Sequence, residues 1–97
     1  MQKKKTKRMH VLVRGNVQGV GFRYFVYQTG LNLNLKGWVR NRVNGEVEIF
    51  AEGSDDILEV FLREVSKGPQ MARVENVRVE WQSNQDELPP FTILTTR

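Results

Sequence analysis

The run Lys36-Gly37-Trp38-Val39-Arg40-Asn41-Arg42-Val43-Asn44-Gly45-Glu46-Val47-Glu48-Ile49-Phe50-Ala51-Glu52 decides the fold. On each side of Asn44-Gly45 the residues alternate between two faces, which is the period of a strand. After the turn, Val47, Ile49 and Ala51 share one face. Before it, Val39, Asn41 and Val43 share one face, and Trp38, Arg40 and Arg42 the other. Asn-Gly between two such runs is the strongest short hairpin signal, because both central residues of a type I′ turn need positive φ. The stretch predicts a β-hairpin.

Working outward, each arm is flanked by a helical pattern. Upstream, Phe22, Phe25, Val26, Thr29 and Leu33 recur at three- and four-residue steps, one face of a helix. Gly30 inside it is a poor helix residue, and Asn34 is a left-handed terminator. Downstream, Ser54 is a candidate N-cap with Asp55 and Asp56 behind it, at the positive dipole end. Ile57, Leu58, Phe61, Leu62 and Val65 form the apolar stripe, and Gly68-Pro69 stops it. Further out, Met9 to Arg14 alternates as a strand with Met9, Val11 and Val13 on one face, and Val77, Val79 and Trp81 mark another. Ser83 to Pro90 reads as a loop and Phe91 to Leu94 as a short edge strand. The order β-α-β-β-α-β predicts an α+β, ferredoxin-like split βαβ: an antiparallel sheet with two helices on one face.

Between the first strand and the first helix lies Gly15-Asn16-Val17-Gln18-Gly19-Val20-Gly21-Phe22-Arg23. Glycines at this spacing let successive N–H groups point inward as an anion nest. A helix N-terminus inside the run adds free N–H groups and a positive dipole end. Arg23 adds a fork of donors that fits phosphate oxygens. The run reads as a phosphate cradle with a fixed cation.

Composition narrows the chemistry. The chain has 97 residues, one domain's worth, and 39% are hydrophobic. It has no cysteine and one histidine, which removes disulfides, thiolate nucleophiles and cysteine-based metal sites, so no metal or cofactor is expected. His10 reads as an ordinary strand residue. No apolar run has the length of a membrane helix. The net charge is +4, yet Lys3, Lys4, Lys5, Lys7 and Arg8 precede the first expected strand, so the body is close to neutral. Residues 1–8 are therefore expected as a basic, disordered tail, and 9–97 as the domain.

The sequence resembles the acylphosphatase family. Gly15, Val17, Gln18, Gly19, Val20, Phe22 and Arg23 match one signature of that family, and Gly37-Trp38-Val39-Arg40-Asn41 with Val47-Glu48 matches the other. Ala51-Glu52-Gly53, Gly68-Pro69 and Ala72-Arg73-Val74 are also similar to it, so the resemblance spans roughly residues 9 to 95. Departures are Asn44 for an acid, Asn34 for a glycine and Gly30 for an alanine. The resemblance implies hydrolysis of the carboxyl–phosphate bond of acyl phosphates. Arg23 and the loop residues Gly15, Gln18, Gly19, Val20, Gly21 and Phe22 would hold the phosphate. Asn41 would orient the attacking water. A metal-independent, cytoplasmic monomer without nucleic-acid or membrane partners is expected, with inorganic phosphate as product and inhibitor. No residue reads as a dedicated pocket for the acyl group.

Two rival readings come from other classes. RNA-recognition modules share this element order, and Lys36-Gly37-Trp38-Val39 loosely resembles the start of their main motif. The spaced aromatics of that motif are absent, and Glu46, Glu48 and Glu80 would repel a phosphate backbone. A non-catalytic anion sensor would use the same cradle, but would not need Asn41 beside Arg23.

Overall fold

The computed structural model describes residues 6–83 and 87–97. The elements run β1 (Thr6–Asn16), α1 (Phe22–Asn32), β2 (Lys36–Asn41), β3 (Val47–Ser54), α2 (Asp55–Lys67), β4 (Arg73–Gln82) and β5 (Thr92–Ile93). The sheet order is β4-β1-β3-β2-β5, so the split βαβ arrangement expected from the element order is present. All pairings are antiparallel except β2 with β5, which is parallel.

The alternation in β1 and β3 sets which face is buried. Met9, Val11, Val13, Val47, Ile49 and Ala51 are completely buried, as is Val39 of β2. Against them pack Phe22 and Val26 of α1 and Leu58, Phe61 and Val65 of α2. Apolar area removed from water on this one face is the main stabilising term.

Four expectations need correction. First, β1 begins at Thr6, not Met9, so Lys7 and Arg8 belong to the sheet and not to a tail. Lys7 pairs with Asp55 at 3.0 Å and Arg8 with Glu52 at 3.3 Å. Residues 1–5 lie outside the described residues. Second, β2 stops at Asn41 and Val43 is 84% exposed, so Val43 does not share the buried face. Third, the hairpin turn is not type I′. Gly45 has φ 97°, but Asn44 is not among the positive-φ residues. Arg42 N–H bonds Glu46 O and Gly45 N–H bonds Arg42 O, which makes a three-residue loop with glycine in last place. Asn44 acts through its side chain instead: its Oδ1 accepts from Glu46 N–H at 3.0 Å.

The fourth concerns Gly30. It lies in the buried stripe of α1 with Phe22 and Val26, not as a flaw in the helix. A Cβ there would fall 2.5 Å from Cγ of Phe91. The ring of Phe91 lies over the helix backbone and tilts against Phe61 at 5.7 Å between centroids. Asn34 does terminate the helix as expected, with φ 55°.

A prediction follows from this contact. Gly30→Ala gains about 1 kcal/mol of helix propensity, but overpacking a filled core costs about 1–3 kcal/mol. The expected result is a net loss and a Tm lower by several degrees. A raised Tm in thermal melts would show that the Phe91 ring moves aside freely.

Candidate active site

The N-terminus of α1 is open. Gly21 is its N-cap with φ 78°, no side chain caps it, and its first turn carries no acid. Gly21 O accepts from Phe25 N–H at 3.0 Å, so the N–H groups of Gly21, Phe22, Arg23 and Tyr24 have no partner within the helix. Gly19 has φ 74°, and nothing crowds a Cβ at either glycine. The backbone conformation, not lack of space, demands glycine there.

A cleft of about 210 Å³ lies at this helix end. Its lining includes Gly19, Gly21, Phe22 and Arg23 from the loop and helix, Asn41 from β2 and Ile93 from β5. Val17 and Tyr24 complete it. The fold therefore brings Arg23 and Asn41 to one cleft. Main-chain bonds fix Asn41 at the end of β2. It pairs with Val47, and its carbonyl accepts from Arg97 N–H at 3.0 Å. Its Oδ1 is buried with no hydrogen-bond partner.

Arg23 has no carboxylate partner among the described residues, unlike Arg8, Arg14, Arg40 and Arg42, each of which pairs with a glutamate. A cation at the positive end of a helix is disfavoured by about 0.3–1 kcal/mol. The arrangement is costly without an anion and fits one well.

Three residues expected in the cradle are not among those lining the cleft. Gly15 sits in β1 at a register shift, where a Cβ would fall 2.0 Å from the carbonyl oxygen of Arg73. Its glycine is needed for the close approach of β4. Val20 packs against the core. The side chain of Gln18 turns to the β2–β3 hairpin and donates from Nε2 to Arg42 O at 2.8 Å and to Glu46 O at 2.9 Å.

The opposite sheet face carries an ion-pair network behind Asn41. Glu48 Oε1 accepts from Arg40 Nε at 2.8 Å and from Arg42 at 3.1 Å, and its Oε2 accepts from His10 Nε2 at 2.7 Å. His10 thus has a carboxylate partner that its sequence context did not reveal. Burial pushes the Glu48 carboxyl up, but hydrogen bonds from His10 and Arg40 and the charge of Arg40 outweigh this and hold it below the usual carboxylate range. Arg14 pairs with Glu46 at 2.9 Å. Glu46 and Glu48 are thus neutralised where they stand, which corrects their expected role as a repelling acidic surface. Arg40 lies 4.8 Å over the ring of Trp38 and so covers the aromatic that a base would stack on.

Comparison with known proteins agrees with this geometry. The family model described as acylphosphatase matches residues 9–93. The chain is 48% identical over 80 residues to an acylphosphatase of Moorella thermoacetica, covering 82% of this chain and 86% of that protein. The crystal structure of acylphosphatase from Bacillus subtilis superposes with a TM-score of 0.88 at 38% identity, covering 91% of this chain and 98% of that one. An acylphosphatase structure from Coxiella burnetii gives 0.85 at 35% identity, covering the whole of both chains. A small α+β domain with a cationic cleft at a helix N-terminus, matched over nearly its whole length, belongs to the acylphosphatase family. That family comprises enzymes that hydrolyse acyl phosphates.

The Glu48 network yields a pH prediction. Its folded-state pKa is below the ordinary value of 4.5. The stability it contributes is thus fully present above that value and is lost as pH falls through the lower folded value. Glu48→Gln should cost about 1.5–3 kcal/mol at neutral pH. The gap from the parent should shrink as pH falls below 4.5. Melts across that range check it; a gap of constant size would assign the loss to packing alone.

Proposed function

We propose that Arg23 and the N–H groups around Gly19 to Arg23 hold the phosphoryl group of an acyl phosphate, while Asn41 orients the water that attacks phosphorus. The observation that carries this reading is the convergence of Arg23, unpaired among the described residues, and Asn41 on one cleft from separate elements. The buried Oδ1 of Asn41 adds support. An unsatisfied buried acceptor costs about 1–3 kcal/mol, and a water admitted to the cleft by a small turn of the amide would recover that cost.

An acyl phosphate is a mixed anhydride with a good leaving group. Water forms a new O–P bond, the bond from phosphorus to the carboxyl oxygen breaks, and its electron pair leaves on the carboxylate. The water's proton passes to a phosphate oxygen. No general acid is needed, so charge neutralisation and positioning are enough. Among the described residues no group of three or more His, Cys, Asp or Glu is placed to hold a metal ion. We take the reaction to be metal-independent, tested by turnover after exhaustive chelation. Among the same residues, no helix is long and apolar enough to cross a membrane. We take the working form to be a cytoplasmic monomer.

Two substitutions test the roles. Arg23→Ala should abolish turnover and remove the rise in Tm that phosphate gives by binding the folded state. Without phosphate its Tm should match or slightly exceed the parent's, because a misplaced cation is gone. Asn41→Ala should lower kcat by about 10²-fold or more and leave the inhibition constant of phosphate within a few-fold. Retained phosphate stabilisation in Arg23→Ala, or intact kcat with collapsed phosphate binding in Asn41→Ala, would overturn these assignments.

A further inference from the structure

The loop before α1 has few main-chain ties. Among the described residues, no hydrogen bond of a turn or loop backbone involves residues 17–20. Val17 is buried and Val20 packs on the core, which presses the loop down. Apolar burial has no preferred direction, so it does not fix where the loop lies along the sheet. The half-buried side chain of Gln18 supplies direction, because a hydrogen bond weakens steeply when its donor is misaimed.

Its two bonds land on either side of one pair. Asn41 and Val47 form the last pair of the β2–β3 ladder. Arg42 follows Asn41, and Glu46 precedes Val47. Gln18 Nε2 donates to the carbonyls of these two flanking residues, at 2.8 Å to Arg42 and 2.9 Å to Glu46. One amide group thus grips both arms of the hairpin one residue beyond the pair that holds Asn41. Neither carbonyl depends on it. Arg42 O also accepts from Gly45 N–H at 3.1 Å, and Glu46 O from Arg42 N–H at 2.8 Å. The turn is closed without Gln18, so its bonds constrain the loop against the strand end.

Resting on the hydrolase reading above, we propose that Gln18 is a positioning residue: its side-chain amide sets where Asn41 stands relative to the phosphoryl group held by the loop. On that reading, holding phosphate needs only the loop and Arg23. In-line attack needs the water on Asn41 to meet phosphorus, and that depends on both halves of the cleft. A displacement of about 1 Å costs about 10²-fold in rate. Loss of the Gln18 amide therefore falls on kcat and not on the hold of phosphate.

The test is a double-mutant cycle of Gln18→Met with Asn41→Ala, with acetyl phosphate as substrate and inorganic phosphate as inhibitor. Methionine keeps the length of the side chain and removes both donors. Gln18→Met should lower kcat about ten- to hundredfold and leave the inhibition constant of phosphate within a few-fold. In the Asn41→Ala background the same substitution should change kcat by less than about threefold, because the amide that it positions is gone. Gln18→Ala should behave like Gln18→Met, since water satisfies the two carbonyls without linking loop to hairpin. It also carries the test where Gln18→Met does not fold. Three outcomes overturn the positioning role and leave the hydrolase reading standing: a kcat at the parent's level in a folded Gln18 variant, a phosphate inhibition constant that rises as much as kcat falls, or losses that multiply in the double variant. A kcat in Asn41→Ala equal to the parent's overturns the reading on which the role rests, and the role with it.

Discussion

The cleft has two halves that the chain does not connect directly, and the side-chain amide of Gln18 ties them. One half is the loop that leads into α1 and Arg23. The other is the end of β2 with Asn41, just before the hairpin. Both hydrogens of Gln18 Nε2 go to hairpin carbonyls, those of Arg42 and Glu46. Each of these carbonyls already accepts one main-chain bond within the turn, so Gln18 takes their second lone pairs. No carboxylate could replace it, because an ionised carboxylate only accepts and would face two carbonyl oxygens with nothing to donate. These two bonds link the loop before the helix to the hairpin that follows the strand end. The reading proposed for the cleft, in which positioning carries the reaction, needs such a link.

The distribution of charge follows from the same two-sided sheet. On the open face, Glu48 and Glu52 of β3 pair with Arg40 of β2 and Arg8 of β1, and Glu46 just before β3 pairs with Arg14. Arg14 is mostly exposed, and a pair of that kind adds little stability. Glu48, 7% exposed and bonded three ways, is the stronger case. The network pins Arg40 and Arg42, the residues on either side of Asn41, so the strand that carries the amide is braced from behind. Its second effect is on the cleft: with those arginines paired, Arg23 is left to meet an anion without a competing carboxylate.

Much of this was legible in the sequence because it depends on local period. The alternation of Met9 to Val13 and Val47 to Ala51, and the stripe from Ile57 to Val65, each describe one face of one element. The convergence of Arg23 and Asn41 was expected through family resemblance, and the cleft is lined by both. What escaped depends on partners distant in sequence. Gly30 looks like a helix defect until Phe91 lies on it. Gly15 looks like part of an anion nest until the backbone of Arg73 approaches it. Gln18 sits inside the glycine run, so its backbone drew notice while its side chain served the hairpin. Val43 kept the strand's period, but the turn had already begun at Arg42. Tyr24 follows Arg23 directly and could have been placed at the cleft by that adjacency. Ile93 could not, because only the parallel pairing of β5 with β2 takes it there.

Two residues break the rules that the rest of the chain follows. Arg23 is a cation at the positive end of a helix, with no acid in that first turn. Asn41 is an amide in a strand, of a residue type depleted there, with a buried oxygen that nothing satisfies. Each is a local loss of stability. In a sequence whose other choices agree with the fold, such conflicts are expected where function overrides stability. Either one alone would be a minor flaw. Both line one cleft, and one phosphoryl group with its attacking water would relieve both: the anion offsets the charge on Arg23, and the water donates to Oδ1. On the reading proposed for the cleft, what resolves the two conflicts is also what the reaction would consume.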